Sequence, residues 1–332
     1  MEYEKRTEDS GKHAEGPCIT VIIPAHNAEE TIVPCLLSLC RQDFGNFHAI
    51  VVVNGSTDRT GQEAEKIAAG DNRFQICTME KGDLSTALNY GLSHSTDPLV
   101  AFLDADDVYA DCFLGNMLHM LRSSGADMAI CGLAEFQGEG QPFFTGSHGF
   151  WTIYEGDRRF DLLLSEPVLG PIRMTKLYRR ELLETIQFPE GHIYEDENAA
   201  YTLYKHANRI VQTDAVWYGY RQLEKSITNR KIQVKNLTDT GHAFFHRIRE
   251  ATGDGELPVA RHALQKACAD ICYRYIQLPE EERDIPKAVS VLREAQGILR
   301  QYGYLLPVKE RVKFQAMLRH PWILRGKAGR RQ

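Results

Sequence analysis

Four short apolar runs, each followed by a polar cluster or a turn, constrain the fold of this chain more than any other feature. They are Cys18–Ile23, Ala49–Val53, Phe74–Cys77 and Leu99–Leu103. Apolar runs that do not alternate with polar residues belong to strands covered on both faces. Helical spacing separates them. Ile32, Leu36, Leu39 and Cys40 mark a helix after the first run, a second helix extends to about Ala69, and Ser85–Ser93 form a third. Pro24 is expected to stop the first strand, and Pro34 fits a helix only within its first turn, where backbone N–H groups lack helical partners. Repeated β-α-β spacing implies an α/β fold: a mostly parallel, Rossmann-like sheet with helices on both faces. Such sheets bind ligands beyond the carboxyl ends of their strands.

The polar clusters fall at those ends. His26-Asn27 follows the first strand, Asn54-Gly55-Ser56-Thr57-Asp58 the second, and Asp104-Ala105-Asp106-Asp107 the fourth. Three carboxylates within four residues repel one another unless a counter-charge is present. A hard divalent cation, Mn²⁺ or Mg²⁺, binds one or two carboxylates together with phosphate oxygens. The plainer alternative is a solvated acidic helix start. Glu195-Asp196-Glu197 is a second acidic group ahead of a helical pattern; it supplies either a general base for an attacking hydroxyl or merely an acidic helix N-terminus. Lys81-Gly82-Asp83-Leu84-Ser85 leads into a helix whose first N–H groups can face an anion.

At 332 residues the chain suits one large domain plus an appendage. After about Gly125 the pattern loosens, and from about Lys231 it is helical with Gly and Pro breaks. The expected organisation is therefore a disordered leader over 1–16, an α/β domain over 17–230, and a helical C-terminal region over 231–332. A hydrophobic content of 43% allows a real core, and no apolar run approaches the ~18 residues of a membrane span. The leader has no signal-peptide pattern. Eight cysteines without a CxxC pair read as buried thiols in a reducing compartment, which points to a cytoplasmic protein. Two glycosylation sequons, at Asn54 and Asn236, then carry no meaning. From Val308 onward eight basic residues face one acid, so the rest of the chain is more acidic than the whole-chain net charge of −6. That balance argues against a nucleic-acid partner. It suggests peripheral contact of 308–332 with an anionic membrane, such as the inner face of the plasma membrane, through Phe314, Trp322 and the Lys/Arg residues.

Taken in order, Val21–Asn27, Val53–Asp58, Leu84-Ser85 through Asn89–Leu92, Phe102–Asp107, Lys176–Leu183, Tyr194–Glu197 and Tyr218–Gln222 resemble the serial motifs of family-2 glycosyltransferases with the GT-A fold, bacterial cell-surface polysaccharide members in particular. The resemblance spans about 17–230. It implies that Asp104 and Asp106 form the DXD motif that contacts the donor ribose and holds the metal. It also implies that Asp196 is the catalytic base and that Pro24, His26, Asn27 and Asn54 line the nucleotide pocket, and Asp83 is expected to bind the nucleotide sugar with them. The implied reaction is single displacement, with inversion, from a nucleotide-diphosphate sugar to a hydroxyl of a glycan or lipid-linked acceptor; a UDP-sugar is favoured.

Three departures bear on the donor. Asn54 stands where the family usually has aspartate, His26 where a tyrosine often stacks on the base, and Leu88 where an arginine is usual. A nucleotidyltransferase would need a Gly-rich phosphate loop near the first strand, and a dehydrogenase a GxGxxG after one; neither is present. A catalytically silent sugar-nucleotide or glycan-binding module is the remaining alternative, and it has no need of Asp196.

Overall fold

The structure, a computed structural model, describes residues 16–146, 149–166, 168–223 and 231–324. Most of the expected leader and the last eight residues of the basic tail lie outside them. The elements of the first half are β1 (Ile19–Ala25), α1 (Ile32–Cys40), β2 (Phe47–Asn54), α2 (Thr60–Ala68), β3 (Phe74–Met79), α3 (Leu84–His94), β4 (Leu99–Phe102), β5 (Val108–Tyr109) and α4 (Phe113–Ser124). There follow β6 (Met128–Gln137), β7 (Trp151–Glu155), α5 (Asp161–Ser165), β8 (Lys176–Arg179), α6 (Arg180–Leu183), α7 (Glu195–His206) and β9 (Arg209–Gln222).

One nine-stranded sheet runs in the order β3-β2-β1-β4-β8-β6-β9-β5, with β7 on β9. The first four strands are parallel. Every residue of β1 is buried, as the uninterrupted apolar run requires. β1 does not stop at Pro24. Leu103 N–H donates to the Ile22 carbonyl, and alternation along a strand gives Pro24 the same side as Ile22. Pairing with β4 has ended by then, at Ile22 beside Phe102, so the missing proline N–H costs no ladder bond. α3 crosses β1 closely: a Cβ on Gly91 would come within 2.4 Å of the Ile22 Cγ2.

The second half of the sheet is mixed. β8 runs antiparallel to both β4 and β6, β5 antiparallel to β9, and β6 parallel to β9 with register shifts near Gly132. A large core of strand and helix side chains reaches from Ile19 to Tyr218 in this unit, and a smaller cluster holds Ile50, Val52, Cys77 and Ala87. Cys35 and Cys131 lie inside it, and all eight cysteines are free thiols.

The chain divides into two compact units. One extends to Gly191 and takes in Thr202 to the end of β9; the other holds His192–Tyr201 and the C-terminal helices. Those helices are α8 (Val234–Gly253), α9 (Leu257–Gln277), α10 (Glu280–Arg283), α11 (Pro286–Tyr302) and α12 (Val308–Arg319). Their core includes Phe244, Ile271, Leu299, Phe314, Met317 and Leu318. No helix among the described residues is long and apolar enough to cross a membrane.

Candidate functional site

The carboxyl ends of β1, β2 and β4 lie at one edge of the sheet, because the three strands are parallel neighbours. Pro24 is buried in β1; His26 and Asn27 follow it at the surface. His26 Nδ1 lies 2.7 Å from the Asn54 carbonyl oxygen. Asn27 takes a left-handed φ of 49°, which asparagine tolerates better than most residues. Its Oδ1 accepts from Thr57 N–H at 2.9 Å, and its own N–H donates to Ser56 Oγ at 3.1 Å. Asp58 continues the link: Oδ2 accepts from Glu29 N–H, and Oδ1 from the backbone and hydroxyl of Thr60. The loops after β1 and β2 are thus tied together by charge-assisted bonds, which hold the Asp58 carboxyl below its ordinary range although burial opposes this.

Asn54 does not offer its carboxamide to solvent. The side chain is buried, Oδ1 accepts from Gly82 N–H at 2.7 Å, and Nδ2 donates to the carbonyls of Gly82 (3.2 Å) and Asp83 (2.9 Å). It braces the loop between β3 and α3. Gly55 allows the approach, with a φ of 57° and no room for a Cβ against Lys81. Asp83 caps α3: Oδ1 accepts from Thr86 N–H and Oγ1, and Oδ2 from Gly191 N–H.

At the end of β4 the three aspartates separate into different roles. Asp107 is fully buried; its Oδ2 accepts from the Tyr218 hydroxyl at 2.5 Å and its Oδ1 from Arg221 N–H at 2.7 Å. Burial and the neighbouring aspartates push its carboxyl well up. Asp104 forms an ion pair with the buried guanidinium of Arg173. Asp106 is pushed up to about 6, first by burial and then by the charge of Asp104.

Arg221 reaches this turn by donating Nε–H to the Asp106 carbonyl at 2.7 Å while its guanidinium lies 4.4 Å from the Phe136 ring centroid. Three carboxylates therefore crowd one largely buried turn, and burial together with their mutual repulsion disfavours the anions of Asp106 and Asp107. A hard divalent cation at Asp106, with Asp104 beside it, would relieve that repulsion.

Local sequence does not single out Arg173, nor Tyr218 and Arg221 beyond their place in a resembling motif. Antiparallel pairing brings them in. β8 pairs Leu99 with Arg179 and Ala101 with Leu177, so the chain entering β8 runs back past Asp104. β5 pairs Val108 with Gly219, which carries Arg221 back alongside Asp106.

Asp196 belongs to the helical unit, in the first turn of α7. Tyr194, just before the helix, adopts a φ of 67°, an uncommon and strained value for a tyrosine. The ring is held by Asn236 Nδ2, 3.2 Å from its hydroxyl, and by the Arg274 guanidinium 4.8 Å from its centroid. Glu195 is buried, and Glu197 pairs with the buried Arg247 at 2.8 Å.

Comparison with known proteins adds the following. The family profile described as "Glycosyl transferase family 2" matches residues 20–187. Glycosyltransferase GlyG of Streptococcus pneumoniae is 24% identical over 84% of this chain and 97% of its own length. Putative glycosyltransferase EpsH of Bacillus subtilis is 28% identical over 70% of this chain and 68% of its own. The match to glycosyltransferase GlyA of S. pneumoniae, 27% identical over 63% of this chain, spans only 31% of that protein. Among solved structures, Staphylococcus aureus TarS 1–349 in complex with UDP-GlcNAc superposes with a TM-score of 0.69 at 22% identity, over 91% of this chain and 87% of that one. That likeness shows the fold, which is GT-A with C-terminal helices as expected.

Proposed function

The chain belongs to glycosyl transferase family 2 and is a glycosyltransferase, and we propose that it moves a sugar, with inversion, from a nucleotide-diphosphate sugar to an acceptor hydroxyl. The observation that carries this reading is the turn after β4, where Asp104 and Asp106 stand at the ligand-binding edge of a parallel sheet and burial together with Asp104 disfavours the Asp106 anion. The donor is a nucleotide sugar, a UDP-sugar by preference. TarS in complex with UDP-GlcNAc and a Pyrobaculum calidifontis mannosyltransferase in complex with GDP-Man and Mn²⁺ (TM-score 0.56, 19% identity) are consistent with that class.

Asp106, with Asp104, would hold Mn²⁺ or Mg²⁺, and a cation there neutralises charge that develops on the departing diphosphate. The loops after β1 and β2 bind the nucleoside: His26 offers a planar face to the base, Pro24 and Asn27 shape the wall, and Asn54 positions the loop carrying Asp83. Asp196 accepts the proton of the acceptor hydroxyl as the new glycosidic bond forms. One base and no enzyme nucleophile give a single displacement, hence inversion. The acceptor is a glycan or lipid-linked saccharide, and peripheral membrane contact through 308–332 would bring the second kind within reach.

UDP-, GDP- and dTDP-sugars offered with Mn²⁺ or Mg²⁺, with release of nucleoside diphosphate as readout, test the proposal. Turnover of a UDP-sugar that chelation abolishes is expected. Tight donor binding without turnover on any saccharide acceptor would instead favour a silent binding module.

A further inference from the structure

At the amino end of the parallel strands, away from the aspartate turn, Cys18, His48 and Asp97 come together. Cys18 immediately precedes β1, His48 lies in β2 beside Thr20, and Asp97 is in the turn before β4. Among the described residues they are the one group of three Cys, His or acidic side chains whose ligand atoms all lie within 4.8 Å of one another. Cys18 Sγ lies 3.4 Å from His48 Nδ1, and His48 Nδ1 lies 2.9 Å from Asp97 Oδ2.

A Cys-His-Asp set first suggests a nucleophile and its relay. A relay needs the thiol on one ring nitrogen and the carboxylate on the other, so that the imidazole takes a proton on one side while held on the other. Here both partners face Nδ1. The thiol is also pushed up to about 11, by burial and then by the Asp97 charge, the opposite of an activated cysteine.

Donor atoms crowded around a common point are instead what a metal ion requires. Tetrahedral zinc with Zn–S of about 2.3 Å and Zn–N or Zn–O of about 2.0–2.2 Å places its ligand atoms roughly 3.3–3.6 Å apart. The Cys18–His48 separation already lies in that range, and the His48–Asp97 pair, a hydrogen bond at 2.9 Å, would have to open by about 0.4 Å. An outer shell is present as well: the buried hydroxyl of Thr20 donates to Asp97 Oδ2 at 2.7 Å and fixes the carboxylate. The Asp97 side chain is only 13% exposed, whereas that of His48 is 62% exposed, leaving an approach from solvent.

We propose that Cys18 Sγ, His48 Nδ1 and Asp97 Oδ2 bind a thiophilic divalent cation, Zn²⁺ in the first place, with water completing the tetrahedron. Binding displaces the Cys18 thiol proton to solvent and ties the starts of β1 and β2 to the turn before β4. The role is structural, separate from the divalent site at Asp106, and independent of the proposed donor.

Cobalt(II) titrated into the reduced full-length protein, with Mg²⁺ in excess, tests this. A thiolate-to-cobalt charge-transfer band saturating at one equivalent per chain is expected, and Zn²⁺ should bleach it. The band should vanish in Cys18→Ser, persist in the Cys40→Ser control, and be lost or strongly weakened in His48→Gln, whose exposed side chain makes misfolding a poor explanation. Thr20→Val should weaken binding by about 10- to 100-fold while the band survives at higher cobalt. No band at one equivalent in the wild type, or an unchanged band in Cys18→Ser, overturns the proposal. Glycosyl transfer by His48→Gln should stay at the wild-type rate, so failure here is distinguishable from failure of the functional reading.

Discussion

Asp106 and Asp107 are adjacent, yet burial and partners give them separate work. Asp107 receives the Tyr218 hydroxyl and Arg221 N–H, so it ties β9 to the turn. Asp106 is disfavoured as an anion, by burial first and Asp104 second. Because its carboxyl is neutral more readily in the fold than in the unfolded chain, its contribution to stability is complete below about pH 4. That contribution is lost as the pH rises through about 6. In chelator at pH 7.5, Asp106→Asn should therefore be more stable than the wild type, by roughly 1–3 kcal/mol. Mn²⁺ should raise the melting temperature of the wild type and leave that of the variant unchanged. Thermal melts in chelator that show the variant destabilised at pH 7.5 would count against a disfavoured Asp106 anion. Asp196→Asn should behave differently. It keeps the shape and the capping capacity while removing a proton acceptor. Donor binding should survive while turnover falls by about 10² to 10⁴, or roughly 3–5 kcal/mol of barrier. Single-turnover kinetics alongside calorimetry separate the two variants. If Asp196→Asn turns over normally while Glu195→Gln is dead, the base lies one residue earlier.

At the level of elements, what could be read from sequence was what is local. The apolar runs marked β1, β2 and β4 because burial on both faces leaves no alternation to confuse, and the aspartate cluster was visible because it directly follows β4. Arg173 was not legible, since only the antiparallel register of β8 on β4 brings a residue 69 positions away to Asp104. Nor was the direction of the Asn54 side chain. Its place in a pocket motif suggested a ligand contact, and an aspartate there would be expected to bind uracil N–H more strongly. The brace to Gly82 and Asp83 reverses that expectation. Asn54→Asp keeps an acceptor for Gly82 N–H but removes both donors to the loop carbonyls and sets a charge beside them. The variant should lose about 1–3 kcal/mol of stability and bind UDP more weakly, because the β3–α3 loop is released. Calorimetry that finds tighter UDP binding would restore a direct contact.

For the whole molecule, what distinguishes the helical unit is the balance between its core and its basic end. The sequence presented 308–332 as one segment for membrane contact, but its apolar residues divide. Phe314, Met317 and Leu318 are buried in the C-terminal core, whereas Val308 and Val312 are more than half exposed, as is Tyr304 ahead of the helix. Spacing by four puts Val308 and Val312 on one side of α12, and Lys309, Lys313 and Arg319 are exposed along the same helix. Deleting 308–332 would open the core and make any loss of membrane binding uninterpretable, with a cost of 2–5 kcal/mol for each large buried side chain removed. Charge reversal avoids that. Lys309→Glu, Lys313→Glu and Arg319→Glu together change no residue of the core. If each basic residue near an anionic surface contributes about 1 kcal/mol, the triple variant should bind vesicles containing phosphatidylserine at least ~100-fold more weakly at low salt. Nucleoside diphosphate release on a soluble acceptor should stay at the wild-type rate, and binding to zwitterionic vesicles should be weak for both proteins. Equal sedimentation of the two proteins with anionic vesicles would show that α12 closes the helical core and has no part in finding the acceptor.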